Sequence, residues 1–136
     1  MLRRILMSLC LLAPVPGFAA QGVLYDCDIT EAKRTGGWIG DKIAIVHFDD
    51  GTATVSDSFV LAVNSGPIQA KVKRNTDRKL VVTWTIEGYE TSGNQYVPYF
   101  DFRATIKKDG AITVYAQPDG YHNRFSGSGM CRKRVS

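Results

Sequence analysis

Hydrophobic and polar residues alternate along four segments of the chain. The clearest segment is 80–87, whose alternate apolar residues are Leu80, Val82, Trp84 and Ile86. The same period of two runs through 68–73, 99–107 and 112–117. This period places one set of side chains on each face of a β-strand, and a single apolar face is typical of an antiparallel sheet that is solvated on its other side.

Four less regular segments complete the set of predicted strands, at 22–29, 42–48, 52–63 and 127–134. We expect 52–63 to be bent or broken at Ser56-Asp57-Ser58. No helical period is sustained over three turns, and no internal repeat or linker divides the chain. The pattern therefore predicts one all-β domain of about eight strands.

Short turns and longer connections alternate along these strands. Asp49-Asp50-Gly51, Asn75-Thr76-Asp77 and Lys108-Asp109-Gly110 are typical hairpin turns, and the longer connections are 30–41, 64–67, 88–97 and 118–126. If 52–63 is one strand, an up-and-down barrel places all the short turns at one end and all the longer connections at the other. If 52–63 is two strands, this separation does not follow.

The first residues have the three parts of a secretory signal peptide. Arg3 and Arg4 precede an apolar run, and small residues precede a cleavage site after Ala19. The run is shorter than the ~20 residues that a transmembrane helix needs. We therefore predict a signal peptide at residues 1–19, a single barrel domain at residues 20–136, and a periplasmic or secreted protein.

Removal of the predicted signal peptide also removes Cys10 and leaves two cysteines, Cys27 near the start and Cys131 near the end. In an oxidising compartment an even count predicts a disulfide, and two cysteines allow one pairing. The alternative is two free buried thiols. A disulfide would bring the first and last strands together, so we predict an antiparallel barrel that is closed or nearly closed. A β-sandwich with paired terminal strands is the alternative.

The longer connections are rich in aromatic residues. The predicted binding residues are Trp38, Tyr89, Tyr96, Tyr121, His122, Arg124 and Phe125. Aromatic side chains in loops provide a large contact area with little loss of conformational freedom, as in many recognition surfaces. The alternative is that these side chains fold back and plug the barrel. The pattern leaves both interpretations open.

Charge narrows the range of partners. The 136-residue chain has 17 Lys and Arg against 13 Asp and Glu, and loss of Arg3 and Arg4 leaves 15 against 13. So small an excess in an exported protein does not predict nucleic acid as a partner.

Two groups of basic residues could form binding surfaces. The first is a stripe of outward cations that consists of Lys71, Lys73, Arg103 and Lys107, with Arg74, Arg78 and Lys79 at the turn. Such a stripe could attract anionic glycans, phospholipid headgroups or an acidic protein. Acidic residues lie among them, which favours a solvated face. Arg132-Lys133-Arg134 is interpreted as a soluble end of the last strand.

The sequence has no catalytic or metal-binding motif. The two histidines, His47 and His122, lack the spacing of a metal-binding pair, and neither has a partner at a spacing that a reaction demands. We therefore expect no enzyme, no metal and no cofactor, and a hydrolase that uses either histidine is a minor alternative.

Tyr25-Asp26-Cys27 at the start and Cys131 at the end resemble the MliC-type lysozyme inhibitors, which are small exported proteins of Gram-negative bacteria. The resemblance implies a small antiparallel barrel that begins with a Tyr-x-Cys strand and is held by a disulfide. The family's inhibitory loop has Ser-Gly followed shortly by Tyr. In this chain Ser65-Gly66 is followed by Pro67-Ile68-Gln69.

These features predict an exported, non-catalytic binding module that contacts a protein or envelope ligand through aromatic loops at one end of a barrel. The alternatives are a lysozyme-inhibitor-like protein, a carrier of a small apolar ligand inside the barrel, and the hydrolase. We expect a monomer with no membrane span.

Overall fold

The computed structural model describes residues 17, 21–30, 38–90 and 93–135. Within them the chain forms eight strands and one helix: β1 (Gly22–Ile29), β2 (Lys42–Phe48), β3 (Ala53–Asp57), α1 (Ser58–Asn64), β4 (Ile68–Asn75), β5 (Lys79–Glu90), β6 (Tyr96–Lys107), β7 (Ala111–Pro118) and β8 (Phe125–Val135). The predicted signal peptide lies outside the described residues, except for Gly17.

The strands form a closed up-and-down barrel, in which each strand pairs antiparallel with its sequence neighbour and β8 pairs with β1. The predicted barrel is confirmed, and the sandwich alternative is wrong. The alternating apolar residues of the sequence face the interior, where Ile45, Val82, Phe100 and Val114 are fully buried. An eight-stranded barrel is just wide enough for side chains to fill it, which explains why one apolar face per strand suffices.

A disulfide between Cys27 and Cys131 joins the first and last strands, as predicted. The two residues are direct partners in the β1–β8 register, with Cα atoms 3.9 Å apart. On the outer side of the same seam, Arg132 forms ion pairs with Asp26 and Asp28. Closure of the barrel therefore rests on backbone pairing, a covalent bond and complementary surface charges.

The predicted strand 52–63 is wrong in its second half, because the chain leaves the sheet at Asp57 and forms α1. The Asp57 carboxylate accepts a hydrogen bond of 2.6 Å from the amide of Val60, as an N-cap does. Ser65 ends the helix in the left-handed conformation. A helix of 7 residues is too short for its period to be seen in the sequence, and its Val and Phe residues also favour strands.

Candidate functional site at the mouth of the barrel

The connections between strands are sorted by length between the two ends of the barrel. Tight turns join β2 to β3, β4 to β5, and β6 to β7, and all three lie at one end. The connections that follow β1, β3, β5 and β7 lie at the opposite end, which we call the mouth. Helix α1 belongs to the connection after β3, so the number of strands stays even and the predicted separation holds.

An aromatic plug fills the mouth from inside. The ring of Trp38 lies 5.5 Å from Phe59, 5.4 Å from Tyr89 and 5.0 Å from Phe100, measured between centroids. Phe125 lies 6.4 Å from both Trp38 and Phe100. Two of these pairs, Trp38–Phe59 and Trp38–Tyr89, meet edge to face, a favoured arrangement of aromatic rings. Three predicted binding residues, Trp38, Tyr89 and Phe125, are therefore partly buried members of the plug.

The regular alternation of inward and outward residues breaks near the end of the β5–β6 hairpin, and this break places Tyr89 in the plug. Inward positions on β5 follow a period of two as far as Ile86, and the next inward residue is Tyr89. The inward positions shift by one residue at Gly88, whose φ of 68° lies in the left-handed region that favours glycine. On β6 the inward positions shift in the same way, because the buried residues Val97 and Phe100 lie three positions apart instead of two. The alternation of the sequence fails at this point, because the backbone here is no longer a regular strand.

The other four predicted binding residues are exposed around the plug. Tyr96 is 63% exposed and Tyr121 is 38% exposed, and His122 and Arg124 are exposed beside them. Sequence reasoning missed Leu61, which is 48% exposed on α1, because the helix itself was not predicted. The mouth thus has a packed aromatic interior and an exposed rim, and we define the rim as Leu61, Tyr96 and Tyr121.

A buried carboxyl group lies under one side of the mouth. Asp57 is 4% exposed, and its Oδ2 has no hydrogen-bond partner among the described residues. Burial raises the pKa of this carboxyl, although hydrogen bonds from the amides of Val60 and Phe59 act in the opposite direction. Since its Oδ1 caps α1, Asp57 positions the segment that carries Phe59 into the plug and Leu61 onto the rim.

The two histidines do not meet. His47 lies on β2 near the tight-turn end, where it pairs with Ala53 and Val23, whereas His122 lies in the β7–β8 connection at the mouth. The part of the chain that the structure describes contains no group of three or more His, Cys, Asp or Glu side chains able to hold a metal ion.

A broad surface cleft of about 800 Å³ lies on the outer wall of the barrel. Its lining includes the predicted basic residues Lys71, Lys73 and Arg103, and also Glu87 and Asp101. Asp101 accepts a hydrogen bond of 2.7 Å from the hydroxyl of Thr85. Mixed charges on an open wall are what a solvated face presents, so this cleft adds no separate site.

Comparison of the chain with protein-family models, with curated proteins and with solved structures finds no match. Among the described residues no helix has the length and apolar character needed to cross a membrane. The class that the fold defines is therefore a closed, disulfide-linked antiparallel barrel with an aromatic mouth.

Proposed function

We propose that this protein is an exported binding module that contacts a protein or envelope component through the rim of its barrel mouth. The observation that carries the proposal is the exposure of large hydrophobic side chains, Leu61, Tyr96 and Tyr121, around a packed aromatic plug. Exposed aromatic groups on a rigid support bind with little loss of conformational entropy, which is the usual design of a contact hot spot.

The packed interior gives no support to the alternative of a small apolar ligand carried inside the barrel. Trp84 and Phe102 stack with centroids 5.3 Å apart, and Phe100 lies 5.0 Å from Phe102. These rings occupy the space that a ligand of this kind would need. We therefore assign contact to the outer rim and stability to the inner plug.

The export part of the proposal rests on the predicted signal peptide and on the Cys27–Cys131 disulfide, since disulfides persist in oxidising compartments. Mass spectrometry of protein recovered from a periplasmic fraction checks it. Export predicts a chain that begins after Ala19, and a full-length cytoplasmic chain would contradict it.

The rim is tested with the double variant Tyr96→Ala/Tyr121→Ala. Crosslinking in an envelope extract should capture a defined component with the unchanged protein and lose it with the double variant. Tyr115→Ala is the matched control, because Tyr115 is 54% exposed on the wall of β7, away from the mouth. Equal capture by all three proteins, or equal loss with the Tyr115 control, contradicts the proposal.

A separate variant distinguishes the plug from the rim. Trp38→Ala removes a ring that packs on four others, and we expect a loss of about 2–4 kcal/mol in the free energy of unfolding. The rim double variant should unfold like the unchanged protein. A Trp38→Ala protein of unaltered stability would show that this ring belongs to the contact surface.

Inhibition of lysozyme is the partner-specific form of the proposal that the resemblance suggests. Ser65 here ends α1 and Gly66 follows it in open space, with no tyrosine directly after them. A lysozyme activity assay with the purified protein tests it directly. Inhibition that Tyr96→Ala/Tyr121→Ala removes would assign lysozyme as the partner of the rim, and absence of inhibition would exclude it.

A further inference from the structure

The tight-turn end of the barrel carries a concentration of positive charge around a cleft of about 460 Å³. The charged residues that line it are Arg78, Lys79, Lys107, Lys108, Lys133 and Asp77. Five basic residues and one acidic residue therefore surround the cleft. Within the described part of the chain none of the five forms an ion pair. This cleft is separate from the mouth and from the mixed-charge wall.

One backbone pairing in this cleft works against stability. Lys79 on β5 and Lys107 on β6 are direct partners in the antiparallel register. Like charges directly opposite each other destabilise a sheet. Among the described residues no ion pair compensates this repulsion, and a local rule broken in this way points to a functional requirement for the charges.

Backbone hydrogen bonds hold the two turns beside which these cations lie. The amide of Lys108 donates to the carbonyl of Arg78 at 3.0 Å, which ties the two turns together, and the amide of Thr76 donates to the carbonyl of Lys79 at 3.0 Å. The amide of Cys131 donates to the carbonyl of Gly110 at 2.8 Å, which fixes the second turn against β8. The positions of these turns are therefore set before any ligand arrives.

Tyr25 adds a neutral donor to the same cleft. It is the register partner of Lys133 across the β1–β8 seam, and it lines the cleft. A phenol is protonated at neutral pH and can donate a hydrogen bond to an anion, and burial raises the pKa of the Tyr25 hydroxyl further.

We propose that this cleft, at the opposite end from the mouth, binds a ligand that carries two or more phosphate groups. Each phosphomonoester bears a charge of about −1.5 to −2 at neutral pH, so two such groups match the local excess of positive charge. The cleft volume also lies in the range of sites for small molecules, which exceeds what a lone anion fills. The same chemistry is offered by a free oligophosphate and by a bisphosphorylated lipid headgroup.

The test uses the oxidised protein and two probes. Inorganic pyrophosphate is titrated by calorimetry, and vesicles of phosphatidylcholine with and without phosphatidylinositol bisphosphate are tested by sedimentation. Lys107→Gln/Lys133→Gln should weaken binding by about 10-fold or more, because charge-assisted hydrogen bonds are lost. The control Lys71→Gln/Lys73→Gln removes the same charge from the outer wall, and should weaken binding by no more than about 2-fold, through long-range attraction that salt screens.

The outcomes separate the two sources. Binding of pyrophosphate alone assigns a free ligand, and binding of the bisphosphate vesicles alone assigns a lipid headgroup. Failure of both probes, or equal weakening by the control variant, overturns the proposal. A readout independent of the ligand is the melting temperature, since Lys107→Gln relieves its repulsion with Lys79 and should melt no lower than the unchanged protein. A lower melting temperature would show that Lys107 is kept for stability.

Discussion

Replacement of Gly129 by alanine should open the seam that closes the barrel. Gly129 lies on β8 opposite Ile29 of β1. A Cβ atom at this position would stand 1.8 Å from the carbonyl oxygen of Asp28 and 2.9 Å from the Cα atom of Ile29. Both neighbours are backbone atoms, which no side-chain rotation can move aside. The two strands must therefore separate locally by about 1.5 Å to reach an ordinary contact distance.

The energetic consequence follows from the hydrogen bonds beside the clash. The amide of Thr30 donates to the carbonyl of Ser128 at 2.9 Å, and a displacement of this size takes that bond beyond hydrogen-bonding distance. The disulfide at Cys131 holds the strands together two residues away, so the strain cannot be relieved by sliding. Overpacking combined with a lost hydrogen bond predicts a destabilisation of about 3 kcal/mol. For a domain of this size, that corresponds to a fall of roughly 10–15 °C in Tm.

The assay is thermal unfolding followed by circular dichroism, with amide hydrogen exchange of Thr30 as a local readout. Gly66→Ala is the matched control, because a Cβ atom at Gly66 meets nothing within 4 Å and its φ is not in the left-handed region. The control should melt within about 2 °C of the unchanged protein. A Gly129→Ala protein that melts with the control would refute this prediction, since β1 and β8 would then not approach closely enough to exclude a Cβ atom.

Two further predictions concern the disulfide and the buried carboxyl. Cys27→Ser/Cys131→Ser opens a covalent loop with a sequence separation of 104, and denaturant unfolding should report a loss of about 4–5 kcal/mol; an unchanged midpoint would contradict the chain-entropy model here. Because burial raises the pKa of Asp57 in the folded state, its contribution to stability is present in acid and is lost as pH rises through that pKa. Asp57→Asn retains a helix cap and should remove this loss of stability at higher pH. The control is Asp50→Asn, since hydrogen bonds from Thr52 lower the pKa of the Asp50 carboxyl. The contribution of Asp50 to stability is therefore lost as pH falls, in the opposite direction. Stability profiles of equal shape in both variants would contradict this assignment.

Much of the fold could be predicted because local pattern and topology agree. The alternation at Leu80, Val82 and Trp84 requires one buried face, and the two cysteines that follow the predicted signal peptide favour a disulfide between the first and last strands. Helix α1 was not predicted, because its N-cap residue, Asp57, lies within a run of residues that also favours a strand. The break in the alternation at Gly88 was not predicted either, because a single positive φ disrupts the period without any change in composition.

The candidate site was predictable only as a location. The sequence indicated which end of the barrel collects the aromatic residues, since connection lengths alternate along the chain. It could not separate Trp38 and Tyr89, which are packed inside, from Tyr96 and Tyr121, which are exposed. That division depends on ring contacts between residues far apart in sequence, because Trp38 packs on Phe100 and Tyr89 packs on Trp38.

By itself the sequence determined the period of the strands and the order of short and long connections, and it predicted the disulfide, because each of these is a local or counting property. Only the tertiary structure decided which side chains plug the mouth and which form its rim. It alone also showed that Lys79 stands against Lys107 and that Lys133 joins them at one cleft. Register across a closed barrel brings these charges together, and no pattern within one strand records the register of its neighbours.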